Sequence, residues 1–220
     1  MIPEYVIEIA QSEFQTEWLK LELAGMPLDV LRVCNPDSML DDETLLAGHD
    51  EVAYQPYWAQ AWDAAIAYAD VLSAQDFENQ TVLDLGCGLG ITGAVVAAKG
   101  GKVTLGDYAP PALDFAKVNT WPWRQNVHIR KIDWRKDHLD LTFDRIVAAD
   151  ILYDRNDIPF LDRFWRAHLA DGASVEHADP SRALTVDFFR DFRDLGWKVE
   201  IQSIESKLIN QPLRLATFTI

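Results

Sequence analysis

The sequence predicts an α/β fold with a doubly wound, mostly parallel sheet. From residue 81 onward, short strand patterns alternate with short helix patterns, as they do in the βα units of such sheets. Residues 145–149 are nearly all apolar, as expected for a strand that is covered on both faces. The chain has 220 residues, of which 49% are hydrophobic and 25% charged, and this suits one globular domain with a small appendage.

The first part of the chain predicts a small antiparallel β-hairpin. Residues 5–9 are rich in β-forming side chains, and residues 18–23 alternate apolar and polar side chains, which is the period of a half-buried strand. Residues 25–27, Gly-Met-Pro, indicate a turn, and residues 28–33 are predicted to form the return strand.

The main part of the chain predicts a leading helix followed by seven strands. Trp58, Trp62, Ile66 and Ala69 recur at helical spacing, so residues 57–72 are predicted to form one helix with an apolar face. The elements that follow alternate, and right-handed crossovers are expected between the parallel strands. The predicted strands are 81–85, 102–106, 127–131, 143–149, 173–178, 198–203 and 213–220, and the predicted helices are 91–99, 111–118, 157–168 and 185–195.

The strongest local signal is a glycine loop after the first of these strands. Gly86, Gly88 and Gly90 follow directly on an apolar strand, and a helix comes next. Glycine lets the backbone turn sharply and approach a ligand closely. A dinucleotide fingerprint needs a small residue three positions after the second glycine, where this chain has Ile91. The loop therefore suits a cofactor without a pyrophosphate, although a tight turn with no ligand is the simpler alternative.

Two acids flank the glycine loop. Asp84 lies two residues before the first glycine, and Asp107 ends the next predicted strand. An acid at the end of that strand can accept hydrogen bonds from both hydroxyls of a ribose. The two acids and the loop together are much more specific than the glycines alone.

These residues resemble the cofactor site of class I S-adenosylmethionine-dependent methyltransferases, over residues 54–220. The resemblance implies a Rossmann-like, seven-stranded sheet with an antiparallel last strand, and S-adenosylmethionine as the cofactor. It implies that the glycines line the methionine end, that Asp107 holds the ribose, and that Asp133 contacts the adenine amino group with Trp134 beside the ring. Trp134 taken alone fits core packing equally well. The implied cofactor-binding residues are Trp62, Asp84, Gly86, Gly88, Gly90, Asp107, Tyr108, Asp133 and Trp134.

Two motifs narrow the resemblance to seven-strand protein-lysine methyltransferases. Trp58 and Trp62 resemble the Trp-Ala-x-x-Trp run of members that modify electron-transfer flavoprotein, which implies that Trp62 covers the cofactor. Asp150 and Tyr153 match the D-x-x-Y signature of the same group. Residues 63–65 are Asp-Ala-Ala where the flavoprotein-modifying members have Pro-Gly-Gly, so the particular substrate stays open.

Two further motifs bear on the substrate. The pair of prolines typical of amino-group methyltransferases acting on nucleic-acid bases or glutamine is absent after Asp150. Residues 179–182, Asp-Pro-Ser-Arg, resemble a turn of the lysine-modifying group, and we expect a structural or substrate-flanking role for it.

The resemblance thus predicts in-line methyl transfer to a lysine side chain of a protein partner. We assign Asp150 to orienting the amine by a hydrogen bond, because a nearby carboxylate favours the charged amine and makes a poor base for it. Tyr153 is assigned to shaping the slot. A methyltransferase for small molecules and a cofactor-binding module without transfer activity are the alternatives. No metal is predicted, since the five histidines show no metal-ligand spacing.

The charge of the chain excludes some partners and suggests another. The net charge of −15 argues against binding nucleic acid or an anionic membrane surface. We divide the chain into an acidic N-terminal extension, residues 1–53, with 12 acids and two bases, and a methyltransferase domain, residues 54–220. Within the extension, residues 35–51 are predicted to form a loop. The acids of this segment either keep the protein soluble or attract a basic, lysine-bearing protein; they are Asp37, Asp41, Asp42, Glu43, Asp50 and Glu51.

Cysteine content and hydropathy predict the compartment. Cys34 and Cys87 are too few for a disulfide framework or a four-ligand zinc site, and this suits a reducing environment. Without a signal-peptide pattern or an apolar run of roughly 18 residues, we expect a cytoplasmic protein that does not enter the membrane. None of these features predicts the oligomeric state.

Overall fold

The computed structural model describes residues 2–40, 55–210 and 212–220. The N-terminal extension contains helix α1 (Glu4–Gln11), strands β1 (Thr16–Leu23) and β2 (Met26–Val33), and a single helical turn, α2 (Asp37–Leu40). β1 and β2 pair antiparallel as a two-stranded sheet, which confirms the predicted hairpin. Most of the acidic loop, with five of its six acids, and the proposed boundary at residue 53 lie outside the described residues.

Residues 5–9 belong to helix α1, so the β-structure predicted there is wrong. Val6 and Ala10 are buried whereas Tyr5 and Ile9 are exposed, which is the four-residue period of an amphipathic helix. The helix packs on the main domain against the helix at Pro110–Thr120. Tertiary packing of one apolar face therefore overrides the β-propensity of the individual side chains.

The hairpin turn docks on the main domain and is shorter than predicted. Ala24 and Gly25 form the turn, while Met26 already pairs with Leu23 as the first residue of β2. The backbone N–H of Gly25 donates to Oγ of Ser73 at 2.9 Å. A Cβ at Gly25 would lie 2.0 Å from the carbonyl oxygen of Ser73, so only glycine allows this close approach.

The main sheet has the seven predicted strands, with small changes at their ends. They are β3 (Thr81–Leu85), β4 (Lys102–Asp107), β5 (Val127–Lys131), β6 (Phe143–Ala149), β7 (Leu169–Asp179), β8 (Lys198–Ile204) and β9 (Leu213–Thr219). Their order is β5-β4-β3-β6-β7-β9-β8. β9 runs antiparallel to both neighbours, and the other adjacent pairs are parallel. The chain moves outward from β3 in one direction and returns to its other side at β6, which places the topological switch point beside β3.

Helices cover both faces of this sheet. They are α3 (Asp63–Ser73), α4 (Ile91–Ala98), α5 (Pro110–Thr120), α6 (Ile158–His168) and α7 (Ala183–Asp194), with short 3-10 segments at Tyr57–Ala59, Trp121–Asn126 and Arg155–Asp157. One hydrophobic cluster joins α3, α4 and α5 to the sheet and also contains the buried side chains of the hairpin. A second, on the other face, joins α6 and α7 and is rich in aromatic side chains. The hairpin thus shares its core with the main domain.

The single helix predicted over residues 57–72 is wrong in its first turn. A 3-10 segment ends at Ala59, and Trp62 has extended backbone angles, φ −65° and ψ 140°, so that α3 begins only at Asp63. Trp58 and Trp62 therefore do not share a helix face. Trp58 is 8% exposed and packs into the core, whereas Trp62 stands at the amino end of α3 beside the cleft described below.

Within residues 2–40, 55–210 and 212–220, no helix has both the length and the apolar character required to cross a bilayer. The same residues contain no group of three or more histidine, cysteine, aspartate or glutamate side chains placed to hold a metal ion.

Candidate active site

A cleft opens at the carboxyl ends of β3, β4 and β6, beside the switch point. Its atom-free space is about 680 Å³, including the part that opens to solvent. Nine of the eleven predicted site residues line this main cleft: Trp62, Asp84, Gly86, Gly88, Asp107, Tyr108, Trp134, Asp150 and Tyr153. The fold therefore brings together residues that are far apart in sequence.

The glycine loop turns between β3 and α4 in left-handed backbone conformations. Gly86 has φ +67°, and a Cβ there would lie 2.7 Å from Cγ2 of Ile151 and 3.5 Å from the Trp134 ring. Gly90 has φ +74° and caps α4, where a Cβ would lie 3.0 Å from Cβ of Ala116. Gly90 is not among the lining residues of the cleft, so the structure gives it a packing role and its predicted contact with the cofactor stays a prediction.

Asp84 is a buried carboxylate at the end of β3. Its Oδ2 accepts hydrogen bonds from the Thr92 hydroxyl at 2.7 Å and from the Gly93 backbone N–H at 2.8 Å. Burial raises the pKa of Asp84 to about 7, against the lowering effect of these two hydrogen bonds. A carboxylate that is costly to ionise at the edge of a ligand cleft is typical of a functional position.

We expect Asp84→Asn to stabilise the fold at high pH. Unfolded aspartate ionises near its ordinary pKa of 3.8, but in the folded protein the pKa is about 7, so the folded state loses stability as pH rises between these values. Removing the buried charge is expected to raise the free energy of unfolding by about 2–4 kcal/mol at pH 8, and by little at pH 4. Urea unfolding at several pH values measures this difference.

Asp144→Asn serves as the control with the opposite sign. Its carboxylate accepts hydrogen bonds from the backbone N–H and the hydroxyl of Thr81, which lower the pKa of Asp144. This substitution is expected to reduce stability above pH 4. If Asp84→Asn also reduced stability at pH 8, the hydrogen bonds of Asp84 would outweigh its desolvation.

Asp107 connects the end of β4 to the glycine loop. Oδ2 accepts from the backbone N–H of Gly88 at 2.9 Å, and Oδ1 accepts from the backbone N–H of Ala109 at 3.0 Å. Burial raises the pKa of Asp107 to about 6, and these backbone hydrogen bonds oppose the increase. Each carboxylate oxygen has a second lone pair, so Asp107 can still accept a hydroxyl from a ligand in the cleft.

Asp133 and Trp134 are adjacent in sequence but lie in different surroundings. The Trp134 ring lines the cleft, is 7% exposed, and its buried Nε1 has no hydrogen-bond partner among the described residues. Asp133 does not line the cleft; it accepts the backbone N–H of Arg135 at 3.0 Å and pairs with Lys136 at 3.1 Å. The adenine contact implied for Asp133 therefore stays a prediction, whereas Trp134 is placed to contact a ligand.

An aromatic slot adjoins the main cleft, and its atom-free space is about 550 Å³, again including the part that opens to solvent. Five residues line it: Tyr57, Trp62, Asp150, Tyr153 and Arg182. The Tyr57 ring packs edge-on against Tyr153 at 5.4 Å and against Trp62 at 6.3 Å between ring centroids. The indole N–H of Trp62 donates to the carbonyl of Tyr57 at 2.8 Å, which fixes the tryptophan ring at the junction of slot and cleft.

Asp150 is the only carboxylate among the residues lining the aromatic slot. It has a left-handed backbone, φ +58°, and its N–H donates to the carbonyl of Ala178 at 2.9 Å. Arg182 donates Nη1 to Oδ1 at 2.6 Å and Nη2 to Oδ2 at 2.9 Å. Burial raises the pKa of Asp150 to about 6, while Arg182 acts to lower it.

Sequence reasoning missed two residues of the slot. Tyr57 belongs to the predicted tryptophan helix, whose actual break turns this tyrosine toward the slot. Arg182 ends the Asp-Pro-Ser-Arg motif, so a signal was present, but the motif alone does not show that its arginine reaches Asp150. Tyr153 lines the slot, and burial raises the pKa of its phenol, so that it stays protonated.

Comparison with known proteins gives a consistent family. A family model described as lysine methyltransferase matches residues 42–175, more than half of the chain. EEF1A lysine methyltransferase 3 of Mus musculus is 33% identical over 110 residues, covering 47% of this chain and 47% of that protein. Protein N-lysine methyltransferase METTL21A of Xenopus tropicalis is 32% identical over 128 residues, covering 53% of this chain and 57% of that protein. The chain spans about half the length of these curated relatives.

Solved structures share the fold. The glycopeptide N-methyltransferase MtfA superposes with a TM-score of 0.62 at 14% identity, covering 73% of this chain and 91% of that one. The structure of MtfA complexed with (S)-adenosyl-L-methionine superposes with a TM-score of 0.58 at 15% identity, covering 69% and 85% of the two chains. At this level of identity the likeness concerns the fold alone.

Proposed function

Because this chain belongs to the lysine methyltransferase family, we propose that it transfers a methyl group from S-adenosylmethionine to a lysine side chain of a protein. The observation that carries the proposal is the aromatic slot with Asp150 at its wall, which opens into the main cleft at Trp62 and Tyr153. A long, narrow aliphatic side chain with a terminal amine suits an aromatic passage that ends at a hydrogen-bond acceptor.

The residues of the main cleft fit the proposed cofactor. Gly86 and Gly88 line the cleft without side chains, so a ligand can approach their backbone closely. Asp107 offers carboxylate lone pairs for ribose hydroxyls, and Trp134 offers a ring face and an unsatisfied indole donor. The aromatic ring of Trp62 suits a sulfonium cation. When bound, S-adenosylmethionine supplies a methyl group on that sulfonium, and the electron pair of the broken S–C bond stays on sulfur.

The slot residues prepare the acceptor amine. A lysine amine has an ordinary pKa of about 10.4, so it must lose a proton before its lone pair can form the new N–C bond. A lysine side chain that enters between the rings of Tyr57, Trp62 and Tyr153 exchanges water for aromatic surface, and this desolvation favours the neutral amine. Asp150 accepts an amine N–H and orients the lone pair. Such alignment is the main contribution that a protein makes to a displacement of this kind.

The partner and the compartment are part of the same proposal. The relatives are named for protein substrates, and the slot opens toward Arg182, which is 39% exposed at the side chain. We place the reaction in the cytoplasm, and the two free cysteines are consistent with a reducing compartment. The attraction of a basic protein by the acids of residues 37–51 rests on the sequence alone, because only Asp37 of this group lies in the described part of the chain.

Transfer of a labelled methyl group tests the function. The purified protein is incubated with methyl-labelled S-adenosylmethionine and a cell lysate, which is then separated into protein, nucleic-acid and small-molecule fractions. We expect label in protein, on lysine after hydrolysis to amino acids. Label confined to the small-molecule fraction would support the alternative acceptor class, and no label in any fraction would support a binding module.

A further inference from the structure

The bidentate salt bridge between Arg182 and Asp150 affects the protonation of the lysine amine that receives the methyl group in the proposed reaction. The Asp150 side chain is 5% exposed and both of its oxygens accept from Arg182, so its charge is already compensated before any substrate enters. Each oxygen retains a lone pair after accepting one N–H. Asp150 can therefore still accept a hydrogen bond, but its paired carboxylate attracts a second cation only weakly.

From this geometry we propose that Arg182 is a positioning residue that makes the slot bind the acceptor lysine as a neutral amine. The proposal rests on the proposed function, since it concerns the amine that the slot receives. An uncompensated carboxylate would hold the amine as an ammonium ion, with a proton on the lone pair that must attack. With Arg182 in place, the proton is released to solvent when the side chain enters, and Asp150 accepts one of the remaining N–H groups.

Contacts with β9 and with the start of α7 fix the backbone of Arg182. The turn at Ser181 has φ +62°, and Arg214 of β9 donates to the carbonyl of Arg182 at 3.3 Å while pairing with Asp179 at 3.8 Å. Arg182 is also the residue before α7, so its backbone is fixed by the helix start. These contacts fix the backbone of Arg182, and the two hydrogen bonds to Asp150 fix its guanidinium in the slot wall.

Other titratable and charged groups surround the pair and the slot: Asp179 and His177 of β7, Arg214 of β9, Tyr57 and Tyr153 of the slot, and Tyr108, Asp107 and Asp157, which act on Tyr153. Burial lowers the pKa of His177 to about 3, so it is neutral throughout the working range. Burial raises the pKa of Tyr153, so its phenol does not ionise there either. Among the residues that line the slot, Asp150 and Arg182 are the two that carry charge.

The first test is the pH dependence of kcat for the wild type, Arg182→Gln and Arg182→Lys. For Arg182→Gln we expect the rising limb of the pH profile of kcat to move to higher pH by about one unit or more. At pH 7 this lowers kcat roughly tenfold, and near pH 10 kcat is recovered. The KM for the lysine substrate is not expected to increase. Arg182→Lys retains the charge and keeps the position of the limb. A loss of kcat that is equal at every pH would show a merely structural role and overturn the proposal.

Arg155→Gln is the matched control. Arg155 also pairs with an aspartate, Asp191, but it is not among the residues lining the aromatic slot. We expect its pH profile to coincide with that of the wild type. A shift as large as that of Arg182→Gln would mean that general surface charge, and not the pair in the slot, sets the profile.

A second test does not require transfer activity. Butylamine, a mimic of the lysine side chain, is titrated into the protein by calorimetry at pH 7 in two buffers of different ionisation enthalpy. Binding to the wild type is expected to release about one proton, and binding to Arg182→Gln none. Equal proton release would overturn the proposal. A difference in proton release without methyl transfer to any protein would refute the proposed function and leave the role of Arg182 standing.

Discussion

Asp107→Ala is expected to weaken the binding of S-adenosylmethionine at least a hundredfold. On the proposed function, the substitution removes two charge-assisted hydrogen bonds to ribose hydroxyls, each of which would contribute about 1.5–3 kcal/mol. It also removes the hydrogen bonds that the backbone N–H groups of Gly88 and Ala109 donate to Asp107, and this loosens the glycine loop. Calorimetric titration with S-adenosylmethionine at pH 8 measures the effect.

The pH dependence of cofactor affinity separates the charge of Asp107 from its shape. Burial raises the pKa of this carboxyl to about 6, so the wild type is expected to lose affinity as pH falls below 6, because the ionised form is the better acceptor. Asp107→Asn keeps the shape of the side chain and should lack this dependence. An affinity unchanged in both variants would contradict the assignment of the cleft to this cofactor; a melting curve for each variant shows whether the fold is intact.

Asp150→Ala is expected to reduce kcat about a hundredfold or more while leaving cofactor affinity nearly unchanged. Without the carboxylate, the lysine amine has no partner to orient its lone pair. A small misplacement of a nucleophile lowers the reaction rate by about two orders of magnitude. The guanidinium of Arg182 loses its partner at the same time and then repels any protonated amine. Single-turnover methyl transfer and calorimetry with the cofactor give the two quantities separately.

The Asp150→Asn variant is a control for the left-handed backbone conformation of this residue. Asp150 has φ +58°, a conformation that asparagine adopts more readily than alanine, so this variant preserves the turn after β6. We expect it to be impaired in turnover as well, because the amide nitrogen faces Arg182 or the amine in place of an oxygen. Wild-type turnover in Asp150→Ala would show that the D-x-x-Y aspartate has no part in transfer.

The sheet and its cofactor cleft were predictable because their signals are local. An apolar strand, three glycines and a helix lie next to each other in sequence, and the left-handed angles at Gly86 and Gly90 are conformations that glycine adopts at little cost. The alternation of strands and helices then restricts the topology to very few arrangements. Asp84 and Asp107 followed from their positions at strand ends.

Other features were not predictable because several distant segments decide them. Residues 5–9 have β-forming side chains, yet they form a helix because one apolar face packs on α5. The break at Trp62 was not predictable, since the apolar periodicity continues through it, whereas in the structure the Trp62 indole donates to the carbonyl of Tyr57. Asp133 and Gly90 carry family motifs but lie outside the cleft lining, because a motif specifies neither the direction of a side chain nor which part of a loop faces the cleft.

The sequence by itself determined the class of fold, the glycine loop and the acids around it, because these depend on neighbours along the chain. Only the tertiary structure decided the aromatic slot. Tyr57 precedes α3, Asp150 follows β6 and Arg182 precedes α7, and they meet because the carboxyl ends of β6 and β7 lie side by side. The pairing of Asp150 with Arg182 follows from that meeting, since a buried carboxylate requires a partner that its own segment does not provide.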